Sequence, residues 1–178
     1  IDAHADINTW QSSPSCNMHG MPVAGVLGLL DESPPLCSFN DILYLGLRDL
    51  DQFEKDFLCE SQIKCLSSED IIQDMKSSMT QIDDFLIEKP PVHLSIDIDV
   101  LDPYYTPGTG TPAKNGLTPD MLHRLIDTVI SSGQVVCVDL VEYNPELDVK
   151  DERTLHECVT IIKRILEGKR LERYDLES

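Results

Sequence analysis

What this chain lacks narrows its possibilities first. No stretch stays apolar for the roughly 20 residues that a bilayer-spanning helix needs, so the sequence is read as having no transmembrane helix and no membrane partner. Basic residues are scarce: 14 Lys and Arg stand against 32 Asp and Glu, leaving a formal net charge of −18. Nucleic acid and anionic membranes both recruit positive patches, so neither is expected as a partner. The 6 cysteines show no CxxC or zinc-ribbon spacing, and no basic, Ser-rich leader precedes the first motif. These absences argue against a zinc site or a secreted disulfide scaffold, and point to a reducing, cytoplasmic setting with a mitochondrial one as the alternative. Cys137, inside an apolar run, is expected to be a buried free thiol. Internal repeats are missing as well. What is left is an ordinary composition, 41% hydrophobic and 26% charged over 178 residues, enough for one domain with a real core.

Two acidic stretches stand out. In Ile1-Asp2-Ala3-His4-Ala5-Asp6-Ile7-Asn8 the polar residues alternate with small apolar ones. An extended chain places side chains two apart on one face, which puts Asp2, His4 and Asp6 together and Ala3, Ala5 and Ile7 opposite. In Val92-His93-Leu94-Ser95-Ile96-Asp97-Ile98-Asp99-Val100 a buried strand is expected, ending in two carboxylates. Such carboxylates repel one another and are costly to desolvate unless a cation neutralises them. Oxygen-rich ligation with one imidazole suits Mn²⁺ or Mg²⁺ better than Zn²⁺. Bridging carboxylates can hold two ions roughly 3.5–4 Å apart, where a shared water becomes a strong nucleophile.

The remaining chain alternates strand and helix. Asp41 to Leu47 reads as a strand, and Val23 to Leu30 as a buried helix closed by Ser33-Pro34-Pro35. After a charged, poorly patterned segment, Ser68-Glu69-Asp70 opens one amphipathic helix with Ile71, Ile72, Met75, Met79, Ile82, Phe85 and Leu86 on its stripe. Lys89-Pro90-Pro91 ends it. Thr118-Pro119-Asp120 marks a helix start that continues to Gly133. Val135 to Val141 reads as a strand, and a last helix runs from Asp151 to Gly168 with Leu155, Val159, Ile162 and Leu166 as its apolar face. The tail from Lys169 to Ser178 is expected to be disordered or to dock on a partner subunit. The fold class is therefore α/β, with a parallel β-sheet flanked by helices on both faces.

Four ordered blocks carry a resemblance. Asp2-Ala3-His4-Ala5-Asp6-Ile7-Asn8-Thr9 with Asn17-Met18-His19-Gly20-Met21-Pro22-Val23 is similar to the arginase branch of the binuclear-manganese ureohydrolases. So are Ser95-Ile96-Asp97-Ile98-Asp99-Val100-Leu101-Asp102-Pro103 with Thr106-Pro107-Gly108-Thr109-Gly110-Thr111-Pro112, and Asp139-Leu140-Val141-Glu142-Tyr143-Asn144-Pro145. The likeness is loose only between about residues 53 and 91.

This resemblance implies an arginase/deacetylase-like three-layer fold and two Mn²⁺ ions. Asp2 and Asp97 would bridge the ions, His4 and Asp99 would complete one, and Asp6 would help bind the other. It also implies the reaction: L-arginine is hydrolysed to L-ornithine and urea by attack of a metal-bridging hydroxide on the guanidinium carbon. Asp6 and His19 would move protons, and Glu142 would hold the guanidinium. Asn8, Ser13 and Ser15 would meet the α-carboxylate, Asp51 the α-ammonium, and Thr111 would line the pocket floor. The glycines Gly108 and Gly110 serve backbone geometry. A homotrimer is the implied assembly. Trp10 and Cys16 stand where arginases usually carry smaller residues, and Gln52-Phe53 where they carry Pro-Gly.

Because the chain opens on Ile1, directly before a ligand motif, it is expected to be the later portion of one catalytic domain spanning 1–178. The family's Gly-Gly-Asp-His-type segment, which supplies a further ligand His, has no counterpart in this sequence. A chain without it is expected to be poorly folded and inactive alone. The alternatives are a ureohydrolase acting on agmatine or formimidoylglutamate, and a non-catalytic binding or assembly protein.

Overall fold

Two parallel strand pairs frame the protein. In the computed structural model, which describes residues 1–87 and 91–176 and side chains through Gly168, β1 (Leu43–Leu47) pairs with β2 (Lys64–Ser67). Likewise β3 (Val92–Asp97) pairs with β4 (Val135–Val141), Ser95 lying opposite Asp139 and Asp97 opposite Val141. The first three residues join the pairs. The Ile1 amino group donates to the Ser95 carbonyl and the Asp97 N–H donates to the Ile1 carbonyl, both at 2.9 Å. On the other side the Asp2 N–H donates to Leu45, and Ala3 accepts from Arg48 and Asp49. The spatial order is thus β2, β1, residues 1–3, β3, β4.

The expected extended alternation of the opening segment holds in outcome and fails in detail. Ala3, Ala5 and Ile7 are all fully buried. The backbone nevertheless bends at Ala3-His4, the His4 N–H turning back onto Asp2 Oδ1 at 2.7 Å, and Asp6 takes a left-handed φ of 52°.

Helices make the parallel crossovers, as parallel strands require. The connection from β1 to β2 is α2 (Gln52–Ser61), in the segment expected to be unpatterned. Its start is a capping box: Asp51 accepts from the Glu54 N–H, and Glu54 accepts from the Asp51 N–H. The helix expected over Val23 to Leu30 is only α1 (Pro22–Val26), cut short before Gly28, whose φ is +68°. The single helix expected from Ser68 to Leu86 is two, α3 (Ser68–Gln73) and α4 (Met75–Leu86). Asp74 separates them with φ −145° and caps Ser77 with its own carboxylate. A short polar side chain that can bond locally competes with helix continuation there, and Ile72 is left 45% exposed. Lys89 and Pro90, the expected stop, lie outside the described residues.

The helix expected at Thr118 is α5 (Pro119–Ser131), with the Thr118 hydroxyl accepting from the Met121 N–H. The last helix, α6 (Arg153–Leu176), runs beyond its expected stop into the tail expected to be disordered or to dock on a partner subunit. It presents a different face from the one expected. Cys158, Ile161 and Ile165 are buried, whereas Val159, Ile162 and Leu166 are 40%, 48% and 59% exposed. Packing on α5 selects the face, through His123–Glu157 at 2.7 Å and a two-pronged Arg164–Asp127 pair at 2.6 Å.

Two apolar clusters cover the two faces of the sheet around β1. Leu45 joins the one built with α3, α4, α5 and α6, while its neighbour Tyr44 joins the one built with α2 and the Ala5–Ile7 segment. Over β3 and β4 the cover is uneven. His93, Ser95 and Cys137 are exposed, so the expected burial of Cys137 is not met. No helix of the described residues is long and apolar enough to cross a membrane.

Candidate functional site

Parallel strands end at one edge of a sheet, and the loops there gather side chains from distant parts of the chain. Asp2, His4 and Asp6 arrive from the opening segment. Asp97 closes β3, and a single helical turn (Ile98–Val100) carries Asp99. Glu142 follows β4 directly in the left-handed conformation, φ 62°. Two non-glycine residues of this one edge, Asp6 and Glu142, thus hold a backbone geometry that L-residues seldom adopt, a kind of strain that concentrates at functional sites.

Asp2, His4 and Asp99 offer ligand atoms all within 4.8 Å of one another. His4 Nδ1 lies 3.0 Å from Asp99 Oδ2 and 3.7 Å from Asp2 Oδ1. Asp97 and Asp6, expected as further ligands, are outside that trio but act on it. The Asp99 N–H donates to Asp97 Oδ1 at 2.8 Å, and Asp2 and Asp99 both repel a charge on Asp6. The trio itself is oriented by neighbours: Asp99 accepts from the Ala3 N–H at 3.3 Å and from the Thr111 hydroxyl at 3.2 Å.

The electrostatics are those of too many carboxylates for the cations present. Asp97 is only 5% exposed and Asp99 1%. Burial, followed by repulsion from Asp99 and Asp2, drives Asp97 far above the carboxylate range. The Asp99 carboxyl is held low, its hydrogen bond and attraction to His4 outweighing burial. Hydrogen bonding to Asp2 and Asp99 pushes His4 up to about 11, and burial with the Asp2 charge raises Asp6 to about 7. Protons here do the neutralising that a divalent cation does with fewer particles. The donor set, buried carboxylate oxygens with one imidazole, fits a hard or borderline divalent ion.

Above the trio lies a cleft of about 240 Å³. His4, Asp6 and Asp97 face it from the sheet side, Glu142 and Thr111 from the loops after β4 and β3, and Asn8, Ser13, Ser15, His19 and Asp51 from the rim. Asp2 and Asp99, bonded or close to His4, are not themselves part of its lining. The rim is organised by local bonds: Asn8 donates to Asp51 at 2.8 Å and accepts from the Ser12 hydroxyl at 2.9 Å. Ser13 and Ser15 accept from the N–H groups of Cys16 and Asn17, and His19 is exposed on a helical turn (Met18–Gly20).

Three residues escaped the sequence reading. Glu54 lines the cleft, 5% exposed and raised by burial; its signal was the Asp51-x-x-Glu54 capping box. Asp49 brings a carboxylate to 3.6 Å from His4 Nε2. Arg48, one residue past β1, reaches under the floor from below. Nothing in their local sequence distinguishes Asp49 or Arg48 from surface charges at a strand end.

Comparison with known proteins agrees with this arrangement. The arginase family model matches residues 1–167. The arginase of Neurospora crassa is 40% identical over 174 residues, an alignment covering 89% of this chain and 48% of that protein. That of Plasmodium berghei is 39% identical over 166 residues, covering 85% and 46%. The chain spans about half the length of these relatives. Among solved structures, an arginase from Bacillus subtilis superposes with a TM-score of 0.87 at 34% identity, covering 93% of this chain and 60% of that one. With a parallel sheet, an acidic strand-end cluster and this extent of similarity all in place, the chain belongs to the arginase family.

Proposed function

We propose that residues 1–178 belong to one catalytic unit of a manganese-dependent arginase, which hydrolyses L-arginine to L-ornithine and urea. The observation that carries the reading is the convergence of Asp2, His4 and Asp99 with Asp97 and Asp6 beneath a cleft that Glu142 faces. Asp2, His4, Asp6, Asp97 and Asp99 would hold Mn²⁺, and two such ions would supply an activated water.

The chain's own groups do the rest. The Glu142 carboxylate takes the planar guanidinium as a two-pronged partner and turns its carbon toward the acidic floor. Asp6, lining the cleft beside that floor, hands a proton to the leaving amine. His19, exposed at the rim, exchanges protons with bulk water, a task suited to an imidazole near neutrality. Asn8, Ser13 and Ser15 receive the α-carboxylate, Asp51 the α-ammonium, and Thr111 borders the guanidinium while holding Asp99.

Asp51 with Asn8 and the block at residues 17–23 favours arginine over agmatine, because a substrate without the α-carboxylate forgoes the hydrogen bonds that Asn8, Ser13 and Ser15 would give it. Formimidoylglutamate is the other alternative substrate. The proposal extends to a cytoplasmic homotrimer acting on a small molecule. Its test is urea release from L-arginine and from agmatine, in Mn²⁺, by protein carrying these residues. Faster release from arginine is expected, with Glu142→Gln slowing it about 100-fold through lost positioning. Equal or greater turnover of agmatine rejects arginase, and no turnover of any guanidinium compound leaves a binding protein.

A further inference from the structure

Arg48 makes an unusual use of a charged side chain. It follows β1 and lies half-buried beneath the cleft floor. Its Nε donates to the Lys114 carbonyl at 3.1 Å, and Nη1 to those of Gly46 at 3.3 Å and Val100 at 3.1 Å. Nη2 donates to Asp99 at 2.7 Å, Ala113 at 2.8 Å and Leu101 at 3.3 Å. A guanidinium has five N–H groups, so these contacts leave none idle. Among the described residues, every acceptor it bonds is a main-chain carbonyl.

Three stretches meet on this one group: the end of β1, the turn that carries Asp99, and the Ala113–Lys114 loop just past Thr111. The surroundings are tight. A Cβ added at Gly116 would stand 2.7 Å from Nη2 and 2.5 Å from the Leu101 carbonyl carbon. The Asp102 carboxylate ties the same two loops, accepting from Tyr104, Asn115 and Gly116 at 3.0, 2.8 and 3.2 Å.

We infer that Arg48 is a positioning residue for the metal-binding carboxylates. It clamps the main chain of Asp99 and the loop that brings the Thr111 hydroxyl to Asp99 Oδ2, so that Asp99 faces Asp2 and His4 before any ion arrives. The inference rests on the metal-binding reading of that trio. Without the clamp the turn can carry Asp99 away from Asp2 and His4, and ion binding must then restore the geometry at a cost in affinity. Lysine cannot replace the arginine, because three donors on one nitrogen do not span the carbonyls of three separate stretches.

The experiment is a Mn²⁺ titration of the full-length protein carrying these residues, free Mn²⁺ being read by electron paramagnetic resonance. It is run as a double-mutant cycle of Arg48→Lys and Asp99→Asn, with metal-free melting recorded for each protein. Arg48→Lys is expected to weaken binding about 10- to 100-fold, as loss of ligand-orienting partners does. That effect is expected to vanish in the Asp99→Asn background, where no charged carboxylate remains to be aimed. A loss of the same size in both backgrounds is the signature of a merely structural role and overturns the inference, as does unchanged affinity in Arg48→Lys. If Arg48→Lys does not fold, Arg48→Gln takes its place in the cycle under the same two criteria. Mn²⁺ affinity that Asp99→Asn leaves unmoved overturns the metal reading and this inference with it. Dependence on Asp99 without coupling to Arg48 overturns the inference alone.

Discussion

The floor and the rim of the cleft are built by opposite means. On the floor, Asp97 and Asp99 are 5% and 1% exposed, and Asp99 is held through its carboxylate by Ala3 and Thr111 and through its carbonyl by Arg48. The rim loop from Thr9 to Gly20 is exposed along most of its length, Met18 at 71%. Its side-chain bonds are short-range ones among Thr9, Ser12, Ser13, Ser15, Cys16 and Asn17, and Asn8 at its start ties it to Asp51. Like charges can be collected only where strand ladders and buried donors hold the backbone against their repulsion. A rim that meets the polar end of a substrate needs no such anchoring, and small polar residues on a loop suffice. On the proposed function, the floor would bind the ions and the rim would discriminate among substrates.

The largest effect that can break this comparison falls on the floor. Asp2→Ala is expected to weaken Mn²⁺ binding more than about 100-fold, since even orienting partners of ligands account for 10- to 100-fold; calorimetric titration measures it, and a smaller loss removes Asp2 from the ligand set. Next comes the pH response of the metal-free chain. Asp6 is raised from its ordinary 3.8 to about 7, so the folded state holds that proton more tightly than the unfolded one. Its stabilising effect is complete below pH 3.8 and is lost as pH rises through 7. His4, raised from 6.5 to about 11, acts with the same sign, its effect complete below 6.5 and lost through 11. Melting temperature without metal should therefore fall from pH 4 to pH 7 and again in alkali. Asp97, raised as well, contributes to the same fall. Asp6→Asn should therefore make the first fall shallower without removing it, and an unchanged slope would assign it to other groups.

The rim should respond more mildly and in a different parameter. Asn8→Ala is expected to raise KM for arginine about tenfold with kcat nearly unchanged, the pattern of lost uniform binding; an equal fall in kcat would place Asn8 with the floor. Smallest of all, Thr118→Ala, remote from both regions, removes the cap of α5 and should lower stability by about 1 kcal/mol without altering KM. Denaturant unfolding and steady-state kinetics on the same protein check both halves of that statement.

Much of the fold was legible because local and global preferences agree. Thr118-Pro119 starts α5 where a capping hydroxyl and a proline both belong, and the β-branched runs at Val92 and Val135 form strands as their residue types favour, although in β4 only Val135 is buried. The misreadings have two causes, one local and one tertiary. α3 and α4 read as a single helix because periodicity is blind to Asp74 turning its carboxylate on its own backbone. On α6 the sequence carries apolar residues on more than one flank, and only contact with α5 chose Cys158, Ile161 and Ile165 over Val159, Ile162 and Leu166.

The sequence by itself determined which residue types are available: closely spaced carboxylates and an imidazole at Asp2, His4 and Asp6, the pair Asp97 and Asp99, and the parallel α/β pattern that sends strand ends to a common edge. Tertiary structure alone decided which of them meet. It brought Asp99 across 95 positions to His4, left Asp97 and Asp6 beside the trio rather than in it, and enlisted Arg48, an ordinary strand-end charge by its sequence, to bind three stretches of backbone. The reason is physical. Side-chain chemistry is written locally, whereas distance between residues far apart in the chain is set by strand register, by which helix face is buried, and by where each backbone donor finds its acceptor.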